Sequence, residues 1–275
     1  MNQKYKSGNT PLVRNSELCK RYGLPHLLIK DESKTPFGTF KDRRSEIVVK
    51  KAMEDKIDKI VLITSGNSGY SLGRFLENID IKIVNIIDKN LNISIKNTLK
   101  KFSNGVIEID LSKKILKPEE VIGLAREDEE ETILDATNGF HEAYEKIIEE
   151  IKKEKPDFII VPVGSGEAFV GLFNGIIKFG LKTKLVGIGV KSRWQSYADK
   201  LHTPWTPYKS KIKTILEEGH ILIKLEEDEI KQVYDEFKDV VDCEPSSSVV
   251  FSVFRKLKFN QEDKIILINS GKGLQ

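Results

Sequence analysis

Lys41 stands in the stretch Pro36-Phe37-Gly38-Thr39-Phe40-Lys41-Asp42-Arg43-Arg44. Pro36 and Gly38 fix a turn there, and Thr39 is placed to cap a helix beginning at Phe40. A lysine in the first helical turn meets the positive end of the helix dipole, and Arg43 and Arg44 follow it. Both disfavour its charged form, and an amine of lowered basicity is the nucleophile of Schiff-base chemistry. A solvated basic helix start has the same composition, so the reading depends on what else the chain supplies. It supplies three glycine-bearing turns: Ser65-Gly66-Asn67-Ser68-Gly69, Gly164-Ser165-Gly166-Glu167-Ala168 and Ser270-Gly271-Lys272-Gly273. The second runs straight into a helical pattern, which makes its backbone N–H groups a phosphate cradle. It is not a dinucleotide fingerprint, because Phe169 occupies the third glycine position, and no Gly-Lys-Ser/Thr follows to make a P-loop.

Each of these turns begins where a predicted strand stops. Short β-branched runs at Lys59–Thr64, Ile81–Ile87, Asp157–Val163, Lys184–Val190 and Lys264–Asn269 alternate with helical patterns such as Ile93–Phe102 and Glu167–Phe179. Continuous apolar runs of this kind belong to a covered parallel sheet. About five or six strands are too few for an eight-stranded α/β barrel, so an open, mostly parallel α/β sheet with flanking helices is expected. Ligands bind outside the carboxyl ends of the strands in such sheets, which lets the three turns line one cleft.

Composition narrows the function. The 275 residues suit two domains or one large one. With 45 basic and 42 acidic residues the net charge is +3, too weak a field to argue for nucleic acid or an anionic membrane. Cys19 and Cys243 lack metal-ligand spacing, so no metal is expected. The polar start Met1-Asn2-Gln3-Lys4-Tyr5 is unlike a signal peptide, and runs such as Phe158–Val163 are far short of a membrane span. A soluble cytoplasmic protein acting on a small molecule is the expectation.

Six motifs occur in order: Gly8-Asn9-Thr10-Pro11-Leu12, Gly38-Thr39-Phe40-Lys41-Asp42-Arg43, Ser65-Gly66-Asn67-Ser68, Val161-Pro162-Val163-Gly164-Ser165-Gly166, Glu244-Pro245-Ser246-Ser247-Ser248 and Ser270-Gly271-Lys272-Gly273-Leu274. In these the chain resembles the fold-type II pyridoxal-phosphate enzymes of the tryptophan synthase β superfamily, and within them most the threonine synthases. The resemblance implies a two-domain architecture with pyridoxal 5′-phosphate in the interdomain cleft. A large domain would comprise 1–41 and 137–275, and a small mobile domain 42–136, whose closure would expel water. Lys41 would bond covalently to the cofactor aldehyde and then move the substrate α-proton. Asn67 would contact the ring 3′-oxygen, and Ser65, Gly66 and Ser68 the substrate carboxylate. Gly164, Ser165, Gly166, Glu167 and Ala168 would hold the phosphate, and Ser270 would meet the pyridine nitrogen. A hydroxyl there leaves the pyridine unprotonated, which suits elimination and replacement more than transamination. A homodimer is implied in the same way.

Two departures bear on substrate. Glu167 replaces a glycine of the phosphate loop, and a carboxylate beside a phosphate is unfavourable unless it points away. The arginine that threonine synthases use for the substrate phosphate has no clear counterpart in Asn138–Lys146, where His141 stands near its position. The implied activity is that of a lyase on a short hydroxy-amino acid or its phosphate ester, converting O-phosphohomoserine and water to threonine and phosphate. A serine/threonine dehydratase and a catalytically silent binding homologue stay open. Outside these motifs, Arg193 and Trp194 follow a predicted strand and could meet an anion. Ser246 and Ser247 fall near the cofactor ring by the resemblance, although capping explains them equally. His26, His202 and His220 read as structural, Cys243 as a small buried residue, and the acidic run Glu127–Glu131 as a solvated face.

Overall fold

The computed structural model describes residues 4–191, 196–203 and 206–274. Its elements divide into two compact units. The first comprises the described residues of Met1–Ser7, Lys41–Phe140 and Leu274–Gln275; the second comprises those of Gly8–Phe40 and His141–Gly273.

The chain enters the second unit with β1 (Leu12–Val13), α1 (Ser16–Tyr22) and β2 (Leu27–Asp31). It then builds the first unit from α2 (Lys41–Glu54), β3 (Lys59–Ile63), α3 (Asn67–Phe75), β4 (Lys82–Asp88), α4 (Ile93–Lys101), β5 (Gly105–Ile109), α5 (Pro118–Ala125) and β6 (Ile133–Asp135). Back in the second unit follow α6 (Glu145–Ile151), β7 (Phe158–Pro162), α7 (Glu167–Lys178), β8 (Lys184–Val190), α8 (Lys209–Glu217), β9 (Ile221–Leu225) and α9 (Glu227–Phe237). The short helices α10 (Pro245–Ser248) and α11 (Val253–Lys256) and the strand β10 (Ile265–Asn269) complete it.

Local chemistry sets several of these boundaries. The Asn15 side chain accepts from the Leu18 N–H at the start of α1, and Gly23 ends that helix at a φ of 66°. Pro245 opens α10 at a position where its missing N–H costs nothing. The second unit carries a six-stranded sheet in the order β1-β2-β10-β7-β8-β9, parallel throughout except for the β1–β2 pair. Its core packs Leu18, Leu27, Ile160, Ile188, Phe237 and Leu267, all essentially inaccessible to water. Full burial of each such side chain stabilises by about 1.5–3 kcal/mol. The first unit carries an all-parallel four-stranded sheet, β5-β4-β3-β6, over a smaller core that includes Val61, Ile86 and Val121.

The expected α/β class, with mostly parallel sheets and flanking helices, is what the structure has. The five predicted strands and the helices α4 and α7 are present within a residue or two. Four further strands of three or more residues, β2, β5, β6 and β9, were not anticipated. β5 and β9 are only half-buried and are broken by Glu108 and Lys224, β6 has three residues, and β2 contains the buried charge of Lys30. The helix expected from Phe40 begins instead at Lys41. Thr39 pairs with Gly271 as an isolated bridge, and its N–H donates to the Thr35 hydroxyl at 3.0 Å, so this backbone is spent on sheet-like pairing. Nor is Glu131 solvated as expected: it accepts from Lys59 at 2.8 Å, a lysine buried to 1% exposure.

Candidate active site

In the second unit, β2, β10 and β7 are parallel neighbours whose register aligns Asn269 with Asp31 and Leu267 with Ile160. Their carboxyl ends therefore share one sheet edge, where segments 32–40, 270–273 and 163–166 emerge. Ser270 follows β10 directly and is 4% exposed. Its N–H donates to the Ser247 hydroxyl at 2.7 Å, and its carbonyl accepts from the Phe40 N–H at 2.9 Å. The Ser247 hydroxyl donates in turn to Asn269 Oδ1 at 2.7 Å. The Asn269 amide donates to Asp31 Oδ1 at 2.9 Å and to the Asp242 carbonyl at 3.1 Å. Ser247 thus does not cap a helix: its hydroxyl ties α10 to the end of β10. Phe40, pinned to Ser270, is the residue immediately before Lys41.

Gly164, Ser165 and Gly166 form the turn from β7 into α7, whose first residues are Glu167 and Ala168. The first N–H groups of an α-helix have no intrahelical acceptor, and the dipole behind them favours an anion. The turn admits little but glycine at its last position. Gly166 has a φ of 90°, and a Cβ there would come within 2.5 Å of Ile212 Cδ1 on α8. The Thr206 hydroxyl donates to the Ser165 carbonyl, which holds the turn from outside. Glu167 is 2% exposed, and its carboxylate accepts from the Tyr208 hydroxyl at 3.2 Å. The carboxylate that replaces a glycine is therefore engaged inside the protein. This backbone-lined cradle fits a phosphate monoester.

His141 lies at the start of a 3-10 turn in the same unit, with its ring 6.0 Å from that of Tyr208 in an edge-to-face arrangement. Its Nδ1 is buried with no hydrogen-bond partner. Its carbonyl packs so closely on Gly171 of α7 that a Cβ at 171 would overlap it. Arg193 and Trp194 lie outside the described residues.

The remaining predicted residues belong to the first unit. Lys41 is the first residue of α2 and is half-buried. Ser65 and Gly66 form the turn from β3 into α3, whose first two residues are Asn67 (7% exposed) and Ser68. Thr64, a residue the sequence reading passed over, accepts from the N–H groups of Gly66 at 3.0 Å and Gly69 at 3.2 Å. The amide of Asn85 on β4 lies beneath Gly69, where a Cβ would overlap it, and neither amide atom has a hydrogen-bond partner. Ser71 on α3 donates to Asp42 Oδ1 on α2 at 2.6 Å and lies 2.8 Å from the Ser45 hydroxyl. Nothing in the spacing signals these contacts, which join residues 26 and 29 positions apart.

The cysteines are free and buried, and burial pushes the Cys243 thiol up to about 12, helped by Asp242 and Glu244. Cys243 therefore serves packing rather than nucleophilic chemistry. Among the described residues no cluster of three His, Cys, Asp or Glu side chains could hold a metal ion, and no helix is long and apolar enough to cross a membrane.

Each unit is built on a sheet of parallel strands, one of which runs through a glycine turn into a helix start. The family pattern of the pyridoxal-phosphate-dependent enzymes matches residues 4–271, and the chain belongs to that family, whose cofactor is pyridoxal 5′-phosphate. It is 22% identical over 191 residues to the threonine synthase of Methanosarcina acetivorans, a match covering 66% of this chain and 45% of that protein. The chain thus matches less than half the length of such curated relatives. Among solved structures, a serine racemase of maize superimposes with a TM-score of 0.79 at 17% identity, covering 98% of this chain and 89% of that one. A fungal L-serine ammonia-lyase from Rhizomucor miehei gives 0.79 at 14% identity, covering 98% and 95%. These likenesses establish the fold-type II architecture.

Proposed function

We propose that this pyridoxal-phosphate enzyme is a lyase of the threonine synthase kind, acting on a short hydroxy-amino acid or its phosphate ester, with Lys41 as the covalent anchor. The observation that carries the reading is the bond from the Phe40 N–H to the Ser270 carbonyl, which ties the residue preceding the amine to the end of β10. The backbone donors of Gly164–Ala168 bind the phosphate, with Gly166 keeping the turn open and Tyr208 holding the Glu167 carboxylate. Bound pyridoxal phosphate supplies an electron sink conjugated to the substrate α-carbon. Lys41 Nζ accepts the α-proton and returns it later in the cycle. Asn67 would orient the ring through its 3′-oxygen, and Ser65, Gly66 and Ser68 would bind the substrate carboxylate. Ser270 would meet the pyridine nitrogen as a neutral hydroxyl, which would keep the sink moderate and suit elimination.

A second reading is favoured by one observation. His141 packs its ring against Tyr208, whose hydroxyl donates to the Glu167 carboxylate, and its Nδ1 has no hydrogen-bond partner, a setting less suited to a second phosphate than an arginine clamp. Elimination of water from serine or threonine needs no such site. Borohydride treatment of pyridoxal-loaded protein should add the coenzyme mass to the peptide containing Lys41, and Lys41→Ala should abolish the adduct. An adduct on another lysine overturns the assignment. Phosphate release from O-phosphohomoserine, run beside 2-oxo-acid release from serine and threonine, then separates the two activities. Loaded protein that turns over none of them identifies a binding homologue or a different substrate.

A further inference from the structure

Asp42, Ser45 and Ser71 form a buried polar chain that the proposed chemistry does not use. Their exposures are 0%, 1% and 0%. Asp42 and Ser45 are three residues apart on α2, hence on one face, and Asp42 directly follows Lys41. Ser71 lies four residues after Asn67 on α3, hence on the same face one turn further on. The direction of the chain follows from proton inventory. A serine hydroxyl donates once and an ionised carboxylate only accepts. The 2.6 Å contact therefore runs from Ser71 to Asp42, and the 2.8 Å contact runs from Ser45 to Ser71. A hydrogen bond to a charged acceptor is short and about twice as strong as a neutral one. Here it joins the first turn of α2 to the second turn of α3. Neighbouring packing leaves α3 little room to shift, since a Cβ at Gly73 would overlap the Phe102 carbonyl.

We propose that Ser71 is a positioning residue: by its bond to Asp42, supported by Ser45, it fixes the helix start bearing Asn67 against the one bearing Lys41. The inference rests on the reading that these two residues hold pyridoxal phosphate. Loss of the bond should leave both groups present but misplaced relative to one ring, so the coenzyme is held less tightly and its imine nitrogen feels a different hydrogen-bond environment.

The test compares wild type with Ser71→Ala, Asp42→Asn and Ser45→Ala by three readouts: apoprotein melting temperature, pyridoxal-phosphate dissociation constant, and the pH midpoint of the bound coenzyme's visible absorbance. Ser71→Ala should weaken coenzyme binding roughly tenfold or more and displace the absorbance midpoint. Asp42→Asn keeps the shape but replaces a charged acceptor with a neutral one, so a smaller change of the same sign is expected. Ser45→Ala leaves the Ser71–Asp42 bond and should change binding least. If Ser71→Ala lowers only the melting temperature, while affinity and midpoint stay at wild-type values, the chain is merely structural and the proposal fails. Should that variant not fold, an unchanged affinity and midpoint in Asp42→Asn overturns it equally. Wild-type protein that takes no coenzyme on Lys41 instead defeats the functional reading, a separate outcome seen before any of these variants is made.

Discussion

Ser270 and Asn67 both follow closely on a buried parallel strand, one in each unit, yet different forces hold them. Ser270 is fixed through its own backbone: its N–H is bound by Ser247 and its carbonyl by Phe40. Asn67 sits at a helix start held by side chains, with Thr64 gathering the N–H groups of the turn and Ser71 reaching across to Asp42. The first arrangement is as rigid as the sheet beneath it. The second depends on hydroxyls and a carboxylate kept dry, where a lost hydroxyl removes a donor to a buried carboxylate. A sheet edge can thus be pinned by main-chain pairing, whereas two helices need a buried polar bond to fix their mutual position.

The largest expected effects come from the tightest backbone approaches, which occur in both units. A Cβ at Gly171 would overlap the His141 carbonyl and crowd Tyr144, a fully buried side chain. A Cβ at Gly73 would overlap the carbonyl of Phe102, which is half-buried at the end of α4. Overpacking of this kind costs about 1–3 kcal/mol or more. Gly171→Ala should lower the urea midpoint more than Gly73→Ala, because a helix end can give way and the Tyr144 region cannot. The opposite order would mean that the first unit is the more rigid one.

Next in size are the hydroxyls. Ser247→Ala strands Asn269 Oδ1 and the Ser270 N–H, both buried, and should destabilise by about 1–3 kcal/mol in urea titration. Thr64→Val keeps the shape but removes the acceptor for Gly66 and Gly69, at the edge of a turn whose Ser65 is half-exposed to water. A loss of about 1 kcal/mol is expected. Equal losses would erase the contrast between the two units.

What the sequence disclosed divides along the same line. The glycine turns after β3, β7 and β10 were readable because tight turns leave glycine at fixed places, as Gly166 does with its φ of 90°. The apolar runs of the central strands were readable because both faces are covered. Ser71 looked like any helix serine, since its partners lie 26 and 29 residues away and a hydroxyl has no periodic signature. Glu131 was misjudged for the same reason: a charged residue reads as solvated until the fold brings its counter-ion, here Lys59. The Phe40–Ser270 bond spans almost the whole chain, and no local pattern could announce it.

The smallest expected effect is a difference in how acid weakens the two units. His220 accepts the Leu185 N–H through Nδ1 at 2.9 Å, a bond that requires the neutral ring. Burial, with the positive charge of Lys184 adding to it, holds His220 below the ordinary value of 6.5. The unfolded chain therefore takes up this proton first. The His220 contribution is fully present above about pH 6.5 and declines as pH falls through that value, until the folded ring is protonated as well. Glu131 behaves differently in the first unit. Its bond from Lys59, more than any other contact, holds its carboxyl below 4.5. Its contribution is present above 4.5 and is lost as pH falls through the lower folded value. Stability measured from about pH 7.5 to 5.5 should accordingly be flatter in His220→Gln than in wild type, while Glu131→Gln should flatten only the region below 4.5. If His220→Gln shifts stability equally at every pH, the imidazole acts in the second unit as packing alone.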